Sequence, residues 1–132
     1  MKRFVKGILI IIGLVLIGGI GFKYFSAKLV KEAVEQNDSY VNISMVADGT
    51  YEGHSEMGPV IVDVRVTVSN GELESVVLLN HQNGLGQSAN SIVDAMVKSN
   101  TQDVDAISGA TVSSEIIINA VNNALQQGVR EE

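Results

Sequence analysis

Val60-Ile61-Val62-Asp63-Val64-Arg65-Val66-Thr67-Val68-Ser69-Asn70-Gly71 sets five valines at alternate positions and then stops on an Asn-Gly pair. A period of two places Val60, Val62, Val64, Val66 and Val68 on one face of a strand, with Ile61, Asp63, Arg65 and Thr67 on the other. Asn70 and Gly71 both tolerate positive φ, which predicts a tight hairpin. Leu73 to Leu79 returns as a second strand. Its run Val76-Val77-Leu78-Leu79 is apolar on both faces, so a helix is expected to cover that end. Arg65 either meets an acid across the sheet or is solvated, and its outer-face position favours solvation.

Upstream, Val41, Ile43 and Met45 alternate with Asn42 and Ser44, the pattern of a half-buried strand, before Asp48-Gly49 marks a turn. Tyr51 reads as a strand aromatic packing on the core. His54 lies in a polar turn without a partner pattern, and two distant histidines do not make a metal site.

Downstream, His81-Gln82-Asn83-Gly84-Leu85-Gly86-Gln87 joins a strand end to a helix, and its glycines let backbone approach a ligand closely. Ala89, Ile92, Val93, Met96 and Val97 keep the helical period, with Ser88 as the expected cap and Lys98 near the end. After the turn at Asn100 to Asp103, Val104-Asp105-Ala106-Ile107 leads into Ser108-Gly109-Ala110-Thr111-Val112-Ser113-Ser114. A last helix follows, with Ile117, Ile118, Val121, Ala124 and Leu125 on one stripe and Asn119, Asn122 and Asn123 on the polar side. The fold class is α+β, a small antiparallel sheet covered by two helices. The start of the last helix offers free N–H groups and the positive dipole end to a phosphate or carboxylate, though an ordinary Ser/Thr cap would read the same way.

The first residues carry Lys2, Arg3 and Lys6, and Gly7 to Phe22 is an uncharged run closed by Lys23. Such a segment suits a single membrane anchor or a cleaved signal peptide. Phe25-Ser26-Ala27 lacks the small-x-small pattern of a cleavage site, which favours the anchor. The expected order is a cytoplasmic tail at 1–6, a transmembrane anchor at 7–25, a linker at 26–38, a folded domain at 39–127 and a frayed polar tail at 128–132. From Glu32 onward there are 15 acids against the three bases Arg65, Lys98 and Arg130, a net of −12. The acids favour a domain outside the cytoplasm, and such a charge makes nucleic acid an improbable ligand. The chain has no cysteine, which excludes disulfides, thiolate chemistry and cysteine-held metal or haem.

Asp105-Ala106-Ile107-Ser108-Gly109-Ala110-Thr111, with Ser113-Ser114 behind it, resembles the attachment motif of the FMN-binding domain family. The resemblance extends over about Asp48 to Leu125, including Asp48-Gly49-Thr50-Tyr51-Glu52-Gly53 at the opening of the first hairpin. It implies FMN joined by a phosphodiester to Thr111. A separate flavin transferase, using FAD and a divalent metal of its own, would install it and release AMP. It also implies that Asp105 presents Thr111 or supports the turn, that Ser108 hydrogen-bonds phosphate or backbone, and that Gly109 and Ala110 leave room. Ser113, His81, Gly84, Leu85, Gly86 and Gln87 complete the expected cofactor-binding set. Larger members often carry Glu-Thr-Pro ahead of Gly-Leu-Gly where this chain has only Gln82 and Asn83, so the contacts of His81 and Asn83 need not carry over.

No internal base stands at a convincing spacing from Thr111, so self-attachment is not expected. The implied role is a membrane-tethered extracytoplasmic electron carrier, a component rather than a self-contained enzyme, relaying electrons between a membrane dehydrogenase or quinone pool and a later acceptor. Two other classes fit the same residues. One is a module that binds a phosphate- or carboxylate-bearing small molecule reversibly, and the other is a non-redox surface structural protein.

Overall fold

A computed structural model describes residues 2–35, 40–82 and 87–130. A long helix, α1 (Lys2–Glu35), is followed by a 3-10 turn at Ile43–Met45. Strands β1 (Gly49–Met57), β2 (Val60–Ser69) and β3 (Glu72–Gln82) come next, then a second 3-10 turn at Gln87–Ser91 and the helices α2 (Ile92–Ser99) and α3 (Thr111–Gln126). The strands form one antiparallel sheet in the order β1-β2-β3. It packs against the two C-terminal helices, so the α+β class holds.

The alternating valines are the reason. Val62, Val64, Val66 and Val68 are each at most 1 % exposed, and every one buried contributes about 1.5 kcal/mol or more. Asn70 (φ 54) and Gly71 (φ 73) close the β2–β3 hairpin in the left-handed region, as expected of that pair. α3 lies on the valine face and is buried over most of its surface, Asn119 and Asn122 included, while Asn123 and Gln126 stay exposed. Of the expected polar stripe only Asn123 therefore faces solvent. Asn122 Oδ1 accepts from the Val41 N–H (3.1 Å) and from Gln102 Nε2 (3.4 Å), and Gln102 Nε2 also donates to the Val41 carbonyl (2.8 Å). These bonds satisfy amides that would otherwise be costly to bury.

Other expectations are corrected. Val41 to Met45 is not a strand, because Asn42 Oδ1 takes the Ser44 N–H (3.1 Å) and hydroxyl (2.8 Å) and folds the chain into the 3-10 turn. α2 starts at Ile92 rather than at a Ser88 cap, and Ser91 ahead of it makes no side-chain cap bond. Val77 and Leu79 are not covered by a helix. They are 49 % and 44 % exposed on the outer face, where a bulge between the Asp63–Asn80 and Val64–Leu78 pairs leaves Leu79 as the extra residue. The segment after α3 is held rather than frayed, since Val129 bridges to Val46 and the Arg130 N–H donates to the Met45 carbonyl (3.0 Å).

α1 carries the membrane reading. Val5–Glu32 is long and apolar enough to cross a bilayer, with a mean hydropathy of 2.4 over its richest window and no part of that window buried. Together with the folded domain this is a single-pass membrane topology. Leu29, beyond the apolar run, packs against the hydrophobic core.

Candidate functional site

The loop ahead of α3 is built by one side chain that sequence reading did not single out. Ser114, fully buried in the first turn of α3, accepts the Ile107 N–H at 2.9 Å and donates to the Ala110 carbonyl at 2.8 Å. The Ala110 N–H in turn reaches the Ile107 carbonyl at 2.9 Å. Residues 107–110 are thereby folded back onto the helix that Thr111 opens. A serine at this place was visible in the sequence, but its turning back toward the loop was not.

Gly109 has φ +82 and open space where a Cβ would point, so a substitution there would be strained by backbone rather than by crowding. Ala110 stands at the N-cap and brings no side-chain cap, and the first turn of α3 contains no acid. The ordinary Ser/Thr cap is thus not what this sequence builds. Asp105, Ser108 and Gly109 are exposed, Thr111 is half-buried, and Ala110 and Ser113 are buried. An uncapped, acid-free helix start with space above Gly109 can seat a phosphate or carboxylate.

Ser114→Ala should loosen this loop without collapsing the domain. It strands the Ile107 N–H at a cost of about 1–3 kcal/mol. The expected outcome is a modest fall in melting temperature, with faster hydrogen exchange selectively at the Ile107 amide. Unchanged protection at that amide would show that Ser114 does not hold the loop.

The second candidate segment comes to the same end of the sheet. α3 runs antiparallel to β1: Gln127 Nε2 donates to the Glu52 carbonyl (2.6 Å) and Asn123 Nδ2 to the His54 carbonyl (2.9 Å). From Asn123 back to Thr111 the helix climbs about 18 Å, whereas β1 has only about 10 Å left between His54 and Met57. Thr111 therefore lies toward the β1–β2 hairpin at Gly58-Pro59. Ile61 pairs with Gln82 and Val62 with His81 at that end. His81 is half-buried, with Nδ1 2.5 Å from Asn90 Oδ1, which ties the strand end to the turn beyond the loop. The turn Gln87–Ser91 packs against α3. Gly84, Leu85 and Gly86 lie outside the described residues, as does the side chain of Gln87.

The outer face of the sheet holds a polar cluster that the sequence did not disclose. His54 is in β1, not in a turn, and its Nδ1 lies 2.6 Å from Asp63 Oδ1, while Asn80 Nδ2 donates to Asp63 Oδ2 at 3.1 Å. Arg65 is paired rather than solvated, its guanidinium donating to Glu52 Oε1 at 2.7 and 3.1 Å. Cross-strand register creates both pairs, since Glu52 faces Arg65 and His54 faces Asp63. The Asp63 hydrogen bond holds the His54 imidazole above its ordinary pKa and holds the Asp63 carboxyl below its own. The pair's contribution is present at pH values between the two ordinary pKa values. It is lost as pH rises through the raised value of His54, or falls through the lowered value of Asp63. His54→Gln should thus lower the melting temperature more at about pH 5.5 than at about pH 9. An equal difference at both would remove the pair from the stability account. Among the described residues no group of three or more His, Asp or Glu is placed to hold a metal ion.

A sequence profile described as FMN-binding domain matches residues 58–126, more than half of the chain. The chain belongs to the FMN-binding domain family. It is also similar, at 35 % identity over 83 residues, to an uncharacterized protein of Treponema pallidum (strain Nichols). That match takes in 61 % of this chain and 23 % of the relative, so the chain spans under a quarter of that protein's length. The matched residues take in strands β2 and β3, both C-terminal helices and the loop that Ser114 holds. FMN is the cofactor its family membership supports.

Proposed function

We propose that this protein is a membrane-tethered extracytoplasmic electron carrier whose FMN is linked through a phosphodiester to Thr111. The observation that carries the reading is the position of the Ser108-Gly109-Ala110-Thr111 motif at the uncapped start of α3, within a chain of the FMN-binding domain family. Thr111 would supply the linking oxygen. The N–H groups of the first turn would face the phosphate, Gly109 and Ala110 would leave it room, and Ser114 would keep the loop in place. When bound, the flavin ring supplies reversible electron transfer, which no side chain of this chain provides.

A threonine hydroxyl is a weak nucleophile without a base, and the first turn of α3 contains no acid to serve as one. This supports attachment by a separate flavin transferase, with Asp105 and Ser108 exposed for it to engage. A covalent link also suits a domain outside the cytoplasm, where a released cofactor would diffuse away. Partners of this role are the transferase, the bilayer, and a membrane dehydrogenase or quinone-linked redox protein. The test is a denaturing gel of membranes from cells that contain a flavin transferase. Flavin fluorescence on the 14.0 kDa band is the expected result. A dark band in cells whose other flavin-linked proteins fluoresce would overturn the covalent reading.

A further inference from the structure

We propose that the β1–β2 hairpin end of the domain is a membrane-facing surface, held against the lipid headgroups by a contact between α1 and the domain. The contact is made by Leu29. This residue is half-buried against the core, and its Cδ2 would stand 3.6 Å from a Cβ placed on Gly58 at the hairpin tip. α1 also packs against α3. Twelve residues after Leu29, the Val41 N–H is bonded to Asn122 in the C-terminal half of α3. The chain therefore enters at the hairpin end and climbs toward the opposite end, leaving the apolar run on the hairpin side.

Phe22, the last residue of that run, and Leu29 are about 10 Å apart along the helix. Headgroups occupy about 5–8 Å on each side of the hydrocarbon core. The exposed tip, Gly58-Pro59, thus stands at the outer edge of the headgroup layer and carries no charge. Lys23 and Lys28 lie on the intervening helix, the sign that suits lipid phosphates, with Lys28 also 3.5 Å from Glu32 one turn on. Thr111 points to the same end of the sheet. If the flavin proposed above is attached there, which is the reading this consequence rests on, it exchanges electrons with a partner that stays in the bilayer.

The absence of cysteine makes the test direct. Pro59→Cys and Glu72→Cys, at opposite ends of the sheet and about 30 Å apart, each receive a nitroxide. The full-length chains are placed in phosphatidylcholine vesicles containing a nickel-chelating lipid. The expected result is strong relaxation of the label at position 59 and near-loss of the effect at position 72. Equal relaxation at both, or more at 72, overturns the proposal. Leu29→Ser should erase the contrast while the melting temperature of the sheet domain is kept, and a persistent contrast in that folded variant would overturn the role of Leu29. Melting to an unfolded chain is read separately, and Leu29→Ala then serves in its place with the same two outcomes. The label readout does not involve flavin. Contrast without flavin mass condemns the flavin reading alone, and flavin mass without contrast condemns this one.

Discussion

Thr111→Ala should leave the protein without covalent flavin while its fold survives. Wild-type protein extracted from membranes is expected to carry the mass of FMN less one water on the peptide containing Thr111, and the variant to carry none. Loss should be complete, because removing the hydroxyl removes the linking oxygen rather than weakening a contact. Thr111 is half-buried at the first position of α3, where it makes no cap bond, so its truncation should change stability by no more than about 0.5 kcal/mol. An unchanged melting curve would then separate lost chemistry from lost structure. Thr111→Ser keeps an oxygen at the same place and should regain part of the adduct. Full adduct in Thr111→Ala, on Ser108 or Ser113 for example, would move the attachment point. An unmodified wild-type peptide from a host that flavinylates other proteins would end the covalent reading.

Gly53→Ala is expected to be the most damaging single-methyl change in the domain. A Cβ built on Gly53 would lie 1.9 Å from the Ala120 carbonyl oxygen, 2.8 Å from the Ala124 nitrogen and 2.9 Å from the Ala124 Cβ. Two of these three atoms are backbone, so no side-chain rotation relieves the clash, and α3 must lift from β1. Overpacking of this kind costs about 3 kcal/mol or more, which for a domain of this size lowers the Tm by about 10–20 °C. The measurement is thermal melting of the full chain in detergent, followed by circular dichroism. A Tm within about 3 °C of wild type, less than 1 kcal/mol, would mean that α3 does not sit this close to the sheet. Flavin content should fall with the folded fraction here, unlike in Thr111→Ala, where the two part company.

The same residue shows where sequence reading stops. Gly53 was legible as part of Asp48-Gly49-Thr50-Tyr51-Glu52-Gly53, yet nothing local says that a helix 67 positions later needs the space its missing Cβ leaves. His54 and Arg65 teach the same lesson. Each looked solitary, and each acquires its acid from a neighbouring strand, in a register that only the finished hairpin defines. Val77 and Leu79 failed in the other direction. A doubly apolar run suggested burial on both faces, whereas alternation turns Val77 and Leu79 to the outer face of the sheet, which no helix covers.

What the sequence determined by itself is what depends on short-range periodicity and turn chemistry. Alternating valines and Asn70-Gly71 give the central hairpin, the apolar run from Gly7 gives the membrane helix, and the spacing after Ser108 gives a helix that Thr111 opens. These follow from steric rules that act within a few residues. Tertiary structure alone decided that α3 buries Asn119 and Asn122 as well as its apolar stripe, that Ser114 turns back to hold the loop before it, and that Thr111 and His81 reach one end of the sheet. Leu29 joins them there through its contact at Gly58. The physical reason is that packing, register and the direction in which a helix crosses a sheet are set by contacts between residues far apart in the chain. A local pattern can name the faces that must be covered, but it does not name what covers them.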